Sequence, residues 1–457
     1  MQKANDLGKD SMLPLVLKLA VPSMIAQLVN VLYCIIDRMY IGNIPIIGDI
    51  ALAGVGVCGP IVTLLSSFGT LVGIGGSILM AMKLGEKDHE SAVKVLSNSF
   101  IMLVSFSLVL TLVFLLIKNK LLMWFGASEA TFVHANTYMT IYTLGTFFAL
   151  LAIGLNSFIT CQGFANVAMF TVIIGAVGNI ILDFVFIFIF HMGVAGAAWA
   201  TVISQMLSCV FVASFLFFSK CITVKITFGG YSLKLMKKIL SIGVSPFLII
   251  ASDSIIIIVM NAMLKNYGGA AEGDLLIACM TIVQSFLMLI TGPLIGITGG
   301  TQAIISFNYG ARNTVRVKQA EKYILIACII FTTSMFIVSR TIPQFFVSIF
   351  TREAAHINLS VWGIKILTLA IIPLSLQYAF VDCLTALGRT KTALCLSMIR
   401  KTIYLACVIL LPALFSARAA FFAEPVCDVI SACISTAVFL LIFSRHLQLR
   451  EQEKKYL

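Results

Sequence analysis

A carboxylate stands in the middle of an apolar run at Asp37, within the segment 22–42 (PSMIAQLVNVLYCIIDRMYIG). At about 100° per residue, Gln27, Asn30, Tyr33 and Asp37 fall within an arc of roughly 120°, so a helix here has one polar face. An acid at the centre of a membrane helix costs about 2.5 to 3.5 kcal/mol on insertion scales and is tolerated where water or a ligand reaches it. Gln27, Asn30 and Tyr33 are therefore candidates to line a substrate cavity, with Asp37 at its border. A second acid, Asp183, interrupts another apolar run, with Asn179 one turn earlier on the same face. Both acids are placed about 10 Å from the same side of the membrane, at 1.5 Å per residue. Two carboxylates in one poorly hydrated pocket repel each other, and a shared H⁺ or Na⁺ relieves the repulsion. The side-chain carbonyl of Asn179 would complete an oxygen site.

The second half of the chain carries its own charges in apolar surroundings. Asp253 has two candidate counter-ions in Arg400 and Lys401, while Glu424 and Asp428 stand one turn apart. Asp253, Asn261 and Gln284 are the candidates to line the cavity on that side. Other chemistries lack their residues. There is no G-x-x-x-x-G-K-[ST] loop for a nucleotide, and no C-x-x-C or Cys/His cluster among the 12 cysteines. His89, His134, His191, His356 and His446 fall at predicted ends or loops, so a nucleophile–base pair within the membrane is not expected. Transport driven by an ion gradient, with no enzyme activity and no cofactor beyond the coupling ion, is the expected reading, with a channel as the alternative.

The elements that must position these residues are membrane helices. Of 457 residues, 60% are hydrophobic and 11% charged, and mean hydropathy is +1.06, too apolar for a soluble protein of this size. About twelve apolar runs are each long enough to cross roughly 30 Å of hydrocarbon. They are 13–42, 50–82, 92–117, 132–159, 168–190, 196–218, 235–264, 275–307, 320–339, 358–387, 393–415 and 419–443. The first is too long, and lacks a small-residue cleavage site, to be a removable signal peptide. The net charge of +12 sorts by side: Lys220, Lys225, Lys234, Lys237, Lys238, Arg312, Arg316, Lys318, Arg389 and Lys391 share one face if both termini are cytoplasmic. The basic surplus is read as topology and attraction to lipid headgroups, with no nucleic-acid role.

The chain is written twice. Pro22 recurs as Pro246, Asp37 falls opposite Asn261, the pair Gly75 and Gly85 answers Gly300 and Gly310, and Gly163 answers Gly388. Landmarks repeated in order over a whole half indicate duplication. Six spans per half put both copies in the membrane the same way up, around a central cleft. The expected division is a first lobe over 1–219, a cytoplasmic linker over 220–234, a second lobe over 235–445 and a cytoplasmic tail over 446–457. The glycines in 68–77 and 292–301 suit close helix packing; the sharper alternative is that they let the second and eighth spans bend.

These motifs resemble the multidrug and toxin extrusion (MATE) transporters along nearly the whole chain. The similarity lies in LAVPS at 19–23, DRMYIG at 37–42, ALAGVG at 51–56, GIGGS at 73–77, KLGEKD at 83–88, NIILD at 179–183, GVAGAAWAT at 193–201 and, above all, GGTQAIISFNYGARN at 299–313. The resemblance implies an all-α fold of two pseudo-symmetric six-helix lobes around a V-shaped cavity. It implies multidrug efflux: export of organic cations or amphiphilic drugs across the cell (inner) membrane, by a monomer, in exchange for H⁺ or Na⁺. It also implies that Asp37, Asn179, Asp183 and Thr201 hold the coupling ion. The chain departs from the family where Lys401 follows Arg400, where Asp253 adds an acid, and where Asp382 does not align with the acid some members carry on the tenth span. A rival within the same superfamily, a flippase for a lipid-linked precursor, would need a strongly cationic cavity; Lys365, Arg400 and Lys401 are its candidates.

Overall fold

The computed structural model describes residues 5–455, and these are helical with no strand. The first half holds α1 (Met12–Gly42), α2 (Gly48–Gly85), α3 (His89–Trp124), α4 (Glu129–Leu144), α5 (Thr146–Thr160), α6 (Ala165–Phe184) and α7 (Gly193–Phe218). The second holds α8 (Leu233–Gly269), α9 (Leu275–Gly310), α10 (Thr314–Thr341), the short α11 (Pro343–Ser348), α12 (Ala354–Ala386), α13 (Thr390–Leu414) and α14 (Ala423–Lys455). Among the described residues eleven helices are long and apolar enough to span a membrane, and the bent pair α4 and α5 makes a twelfth. The protein is a multi-pass membrane protein.

The duplication is visible in the backbone. Lys87 and Arg312 both turn through the left-handed region, with φ of 62° and 56°. Each is followed by a helix cap of the same kind: Asp88 accepts from the Ser91 N–H at 3.0 Å, and Asn313 from the Arg316 N–H at 3.2 Å. Gly163 and Gly388, at φ 88° and 75°, end α5 and α12 alike. The fourth span of each half is also interrupted at a corresponding place. Instead of one continuous helix over 132–159, the chain bends by 57° between Leu144 and Thr146. In α12 a 3₁₀ turn at Thr368–Ala370 marks the equivalent point. At Gly145 a side chain would lie 2.4 Å from Val202 of α7, so the bend goes with a backbone pressed onto its neighbour.

Packing divides the chain into two compact units. The first consists of Ile25–Ile250 with the short stretch ending at Asp10, and the second of Ser11–Met24 with Ala251–Leu457. Within the first, Ile41, Ile61, Leu65 and Tyr142 form a buried core, and within the second Leu276, Ile290, Ile364 and Phe421 do. Lipid is as apolar as these side chains, so close fit between helices must supply the stability. Glycine permits that fit. A side chain on Gly75 of α2 would sit 2.3 Å from the Ile239 carbonyl oxygen of α8, and one on Gly243 of α8 1.8 Å from that of Leu71. Gly300 of α9 repeats the device against Ser23 of α1, at 2.2 Å. The glycines of 68–77 and 292–301 thus include tight packing points. Gly243→Ala is expected to destabilise the protein by about 1 to 3 kcal/mol through overpacking, read as a lower unfolding temperature in detergent. Gly56→Ala, where a side chain meets nothing within 4 Å, is the control that should leave it unchanged.

Candidate functional site

In the first unit α1 and α6 bring Asp37 and Asp183 together. Their carboxylates face each other within hydrogen-bonding reach. Asp183 is fully buried and Asn179 nearly so, because α6 turns the i and i+4 positions onto one inward stripe. Asn179 Nδ2 donates to Asp183 Oδ2. Oδ1 of Asp183 and Oδ1 of Asp37 are buried with no donor. Two ionised carboxylates can only accept hydrogen bonds, and a proton on one of them creates the missing donor.

Immediately after Asp183, α6 widens into a turn of π-helix at Val185–Ile189. Such turns are uncommon and often lie at functional sites. Thr201 of α7 is buried and donates back to the Ala197 carbonyl at 3.0 Å, as a hydroxyl in an apolar helix must unless it finds another partner. Tyr138 of α4 stands beside Thr201 and stacks on Tyr142, with ring centroids 6.2 Å apart and planes 10° from parallel. The Tyr142 hydroxyl lies 3.4 Å from Ser66 Oγ of α2 and accepts from Gln205 Nε2 of α7 at 3.4 Å. Tyr33 of α1 adjoins both Tyr142 and Asp37. Tyr138, Tyr142, Ser66 and Gln205 were not among the residues read from the sequence; the one available signal was the two tyrosines four apart in a span.

Of the other first-half candidates, Gln27 is half-buried and Asn30 exposed along α1, and no hydrogen bond joins either to the acids. In the second unit Asp253, Arg400, Lys401, Glu424 and Asp428 are paired with one another. Arg400 of α13 donates from Nη2 to Glu424 Oε1 at 2.9 Å and from Nη2 and Nε to Asp428 Oδ1 at 2.9 and 3.1 Å. Its guanidinium also lies 5.8 Å from the centre of the Tyr378 ring. Lys401 donates to Asp253. Gln284 Nε2 reaches the Tyr404 hydroxyl at 3.5 Å, and Asn261 is half-buried on α8. The acids Glu424 and Asp428 of the second unit thus share one arginine, whereas Asp37 and Asp183 of the first face each other.

Known proteins share this architecture. The MatE family profile matches residues 22–185 and again 247–411, once in each half. The multidrug export protein MepA of Staphylococcus saprophyticus is 25% identical over 440 residues, covering 96% of this chain and 95% of its own. An outward-facing multidrug resistance MATE transporter of the MOP superfamily superposes with a TM-score of 0.89 at 23% identity, over 99% of this chain and 100% of that one. A MATE structure in complex with MaL6 does so with 0.90 at 22%, over the same shares. The chain belongs to the MatE family and is a membrane transporter, not an enzyme.

Proposed function

We propose that the protein is a secondary antiporter that exports organic cations or amphiphilic drugs in exchange for H⁺, by alternating access, with both termini in the cytoplasm. The coupling site is Asp37, Asn179 and Asp183, with Thr201 and Tyr138 in its wall. The observation that carries this reading is the facing pair of carboxylates, each with a buried oxygen that lacks a donor. Drug export is supported by the relatives of this family that are multidrug export proteins. A proton bound at the pair favours one arrangement of the helices and a drug the other, and exchange follows if each displaces the other. A lipid-linked pyrophosphate is poorly served, because Arg400 and Lys401 are engaged by Glu424, Asp428 and Asp253.

The test is ethidium efflux by the purified protein in liposomes, with a pH gradient and a sodium gradient imposed separately. Efflux under the pH gradient alone is expected. Efflux under the sodium gradient alone would transfer the site to Na⁺, and no dye movement under either would remove the drug-export reading.

A further inference from the structure

A second buried acid pair lies in the other unit, apart from Arg400 and its partners. Glu321 of α10 is 5% exposed, and neither carboxylate oxygen has a hydrogen-bond donor. Its neighbours are Asp382 and the Cys383 thiol, both of α12, and the Cys328 thiol on its own helix. Among the described residues, the titratable groups that act on it are acids and thiols. Asp382 is in turn faced by Thr298 and Gln302 of α9 and is only half-buried. Asp382 thus keeps some surface exposed, while Glu321 is buried.

We infer that Glu321 and Asp382 form a second proton-binding site, with Asp382 as the point of entry and Glu321 as the buried acceptor. As two ionised carboxylates the pair would hold two negative charges among three helices, with no donor beside Glu321 stronger than the Cys383 thiol. One proton taken from water at Asp382 leaves a single charge. Held at either carboxyl, that proton leaves the pair with the same single charge. A sodium ion fits less well. Thiols flank Glu321, whereas sodium needs a shell of hard oxygens, and among the described residues no three His, Cys, Asp or Glu side chains cluster as for a metal. Thr298 and Gln302 supply donors to Asp382 whenever it carries the charge. The inference rests on the transporter fold and not on the first-unit coupling site.

Infrared difference spectra of the full-length protein in detergent, recorded over pH steps in H₂O and D₂O, test it. The wild type should show the carbonyl band of a protonated carboxylic acid that grows on acidification and moves in D₂O. Glu321→Gln should lose this band, and Asp382→Asn should move its midpoint. A protein carrying Asp37→Asn and Asp183→Asn should keep it, which separates this site from the first. If Glu321→Gln does not fold, Glu321→Asp retains a carboxyl and should displace the band. An undiminished band in Glu321→Gln, or one that never titrates, overturns the proposal, as does a band removed by sodium at constant pH.

Discussion

In Asp183→Asn, ethidium binding is expected to lose most of its dependence on pH near neutrality. On the proposed exchange, wild-type protein should bind the dye more tightly in alkaline than in acidic solution, because dye and proton would disfavour each other through the pair of Asp37 and Asp183. Couplings of this kind amount to about 1 to 3 kcal/mol, or roughly 5- to 150-fold in affinity. Asparagine has the shape of the acid and can still accept from Asn179 Nδ2, so packing is preserved while the titrating group is gone. Asp37→Asn should behave in the same way, since either substitution leaves a single carboxylate. Fluorescence anisotropy titrations of the purified variants on both sides of neutrality measure the effect. An affinity ratio equal to that of the wild type in both variants would show that the pair is not the coupling site.

The second large effect is on stability. Arg400→Met should cost about 3 to 5 kcal/mol, the usual penalty for leaving a buried charge without its partner. The group stranded is double: Glu424 is 6% exposed and Asp428 fully buried, and both accept from the same guanidinium. Arg400→Lys should recover only part of the loss, because a single ammonium cannot reproduce the planar fork that reaches Asp428 from Nε and Nη2 at once. The discriminating measurement adds Glu424→Gln and Asp428→Asn to Arg400→Met. Thermal unfolding in detergent should return close to the wild-type midpoint in the triple variant, since removing the whole set leaves no bare charge. A single variant as stable as the wild type would mean that water reaches these acids.

What the sequence reveals depends on contrast. Asp37, Asn179 and Asp183 stand out because polar groups in apolar runs need a reason, and the fixed pitch of a helix makes i and i+4 neighbours legible. Lys401 as a partner for Asp253 was readable for the same reason. Tyr138 and Tyr142 were not, since an aromatic side chain is as much at home in lipid as in a binding wall. The choice between Arg400 and Lys401 turned on which face of α13 meets α14, and two adjacent residues point about 100° apart; only packing tells which one is inward. Glu321 was hidden by company. It lies among lysines near a helix end, where an acid reads as solvated surface, and its burial follows from the approach of α12. The bend at Gly145 was missed because an apolar run of span length gives no sign that its axis changes direction.

The make-up of the two compact units bears on how the protein is built during synthesis. The first unit needs the opening part of α8, up to Ile250, and the second takes in Ser11–Met24 from the very start of α1. Neither is therefore encoded by one uninterrupted half of the gene. The earliest lobe cannot reach its final packing until the ribosome has passed the linker and made the beginning of the next. Ser11–Met24 must wait in the bilayer for helices that begin more than two hundred residues later.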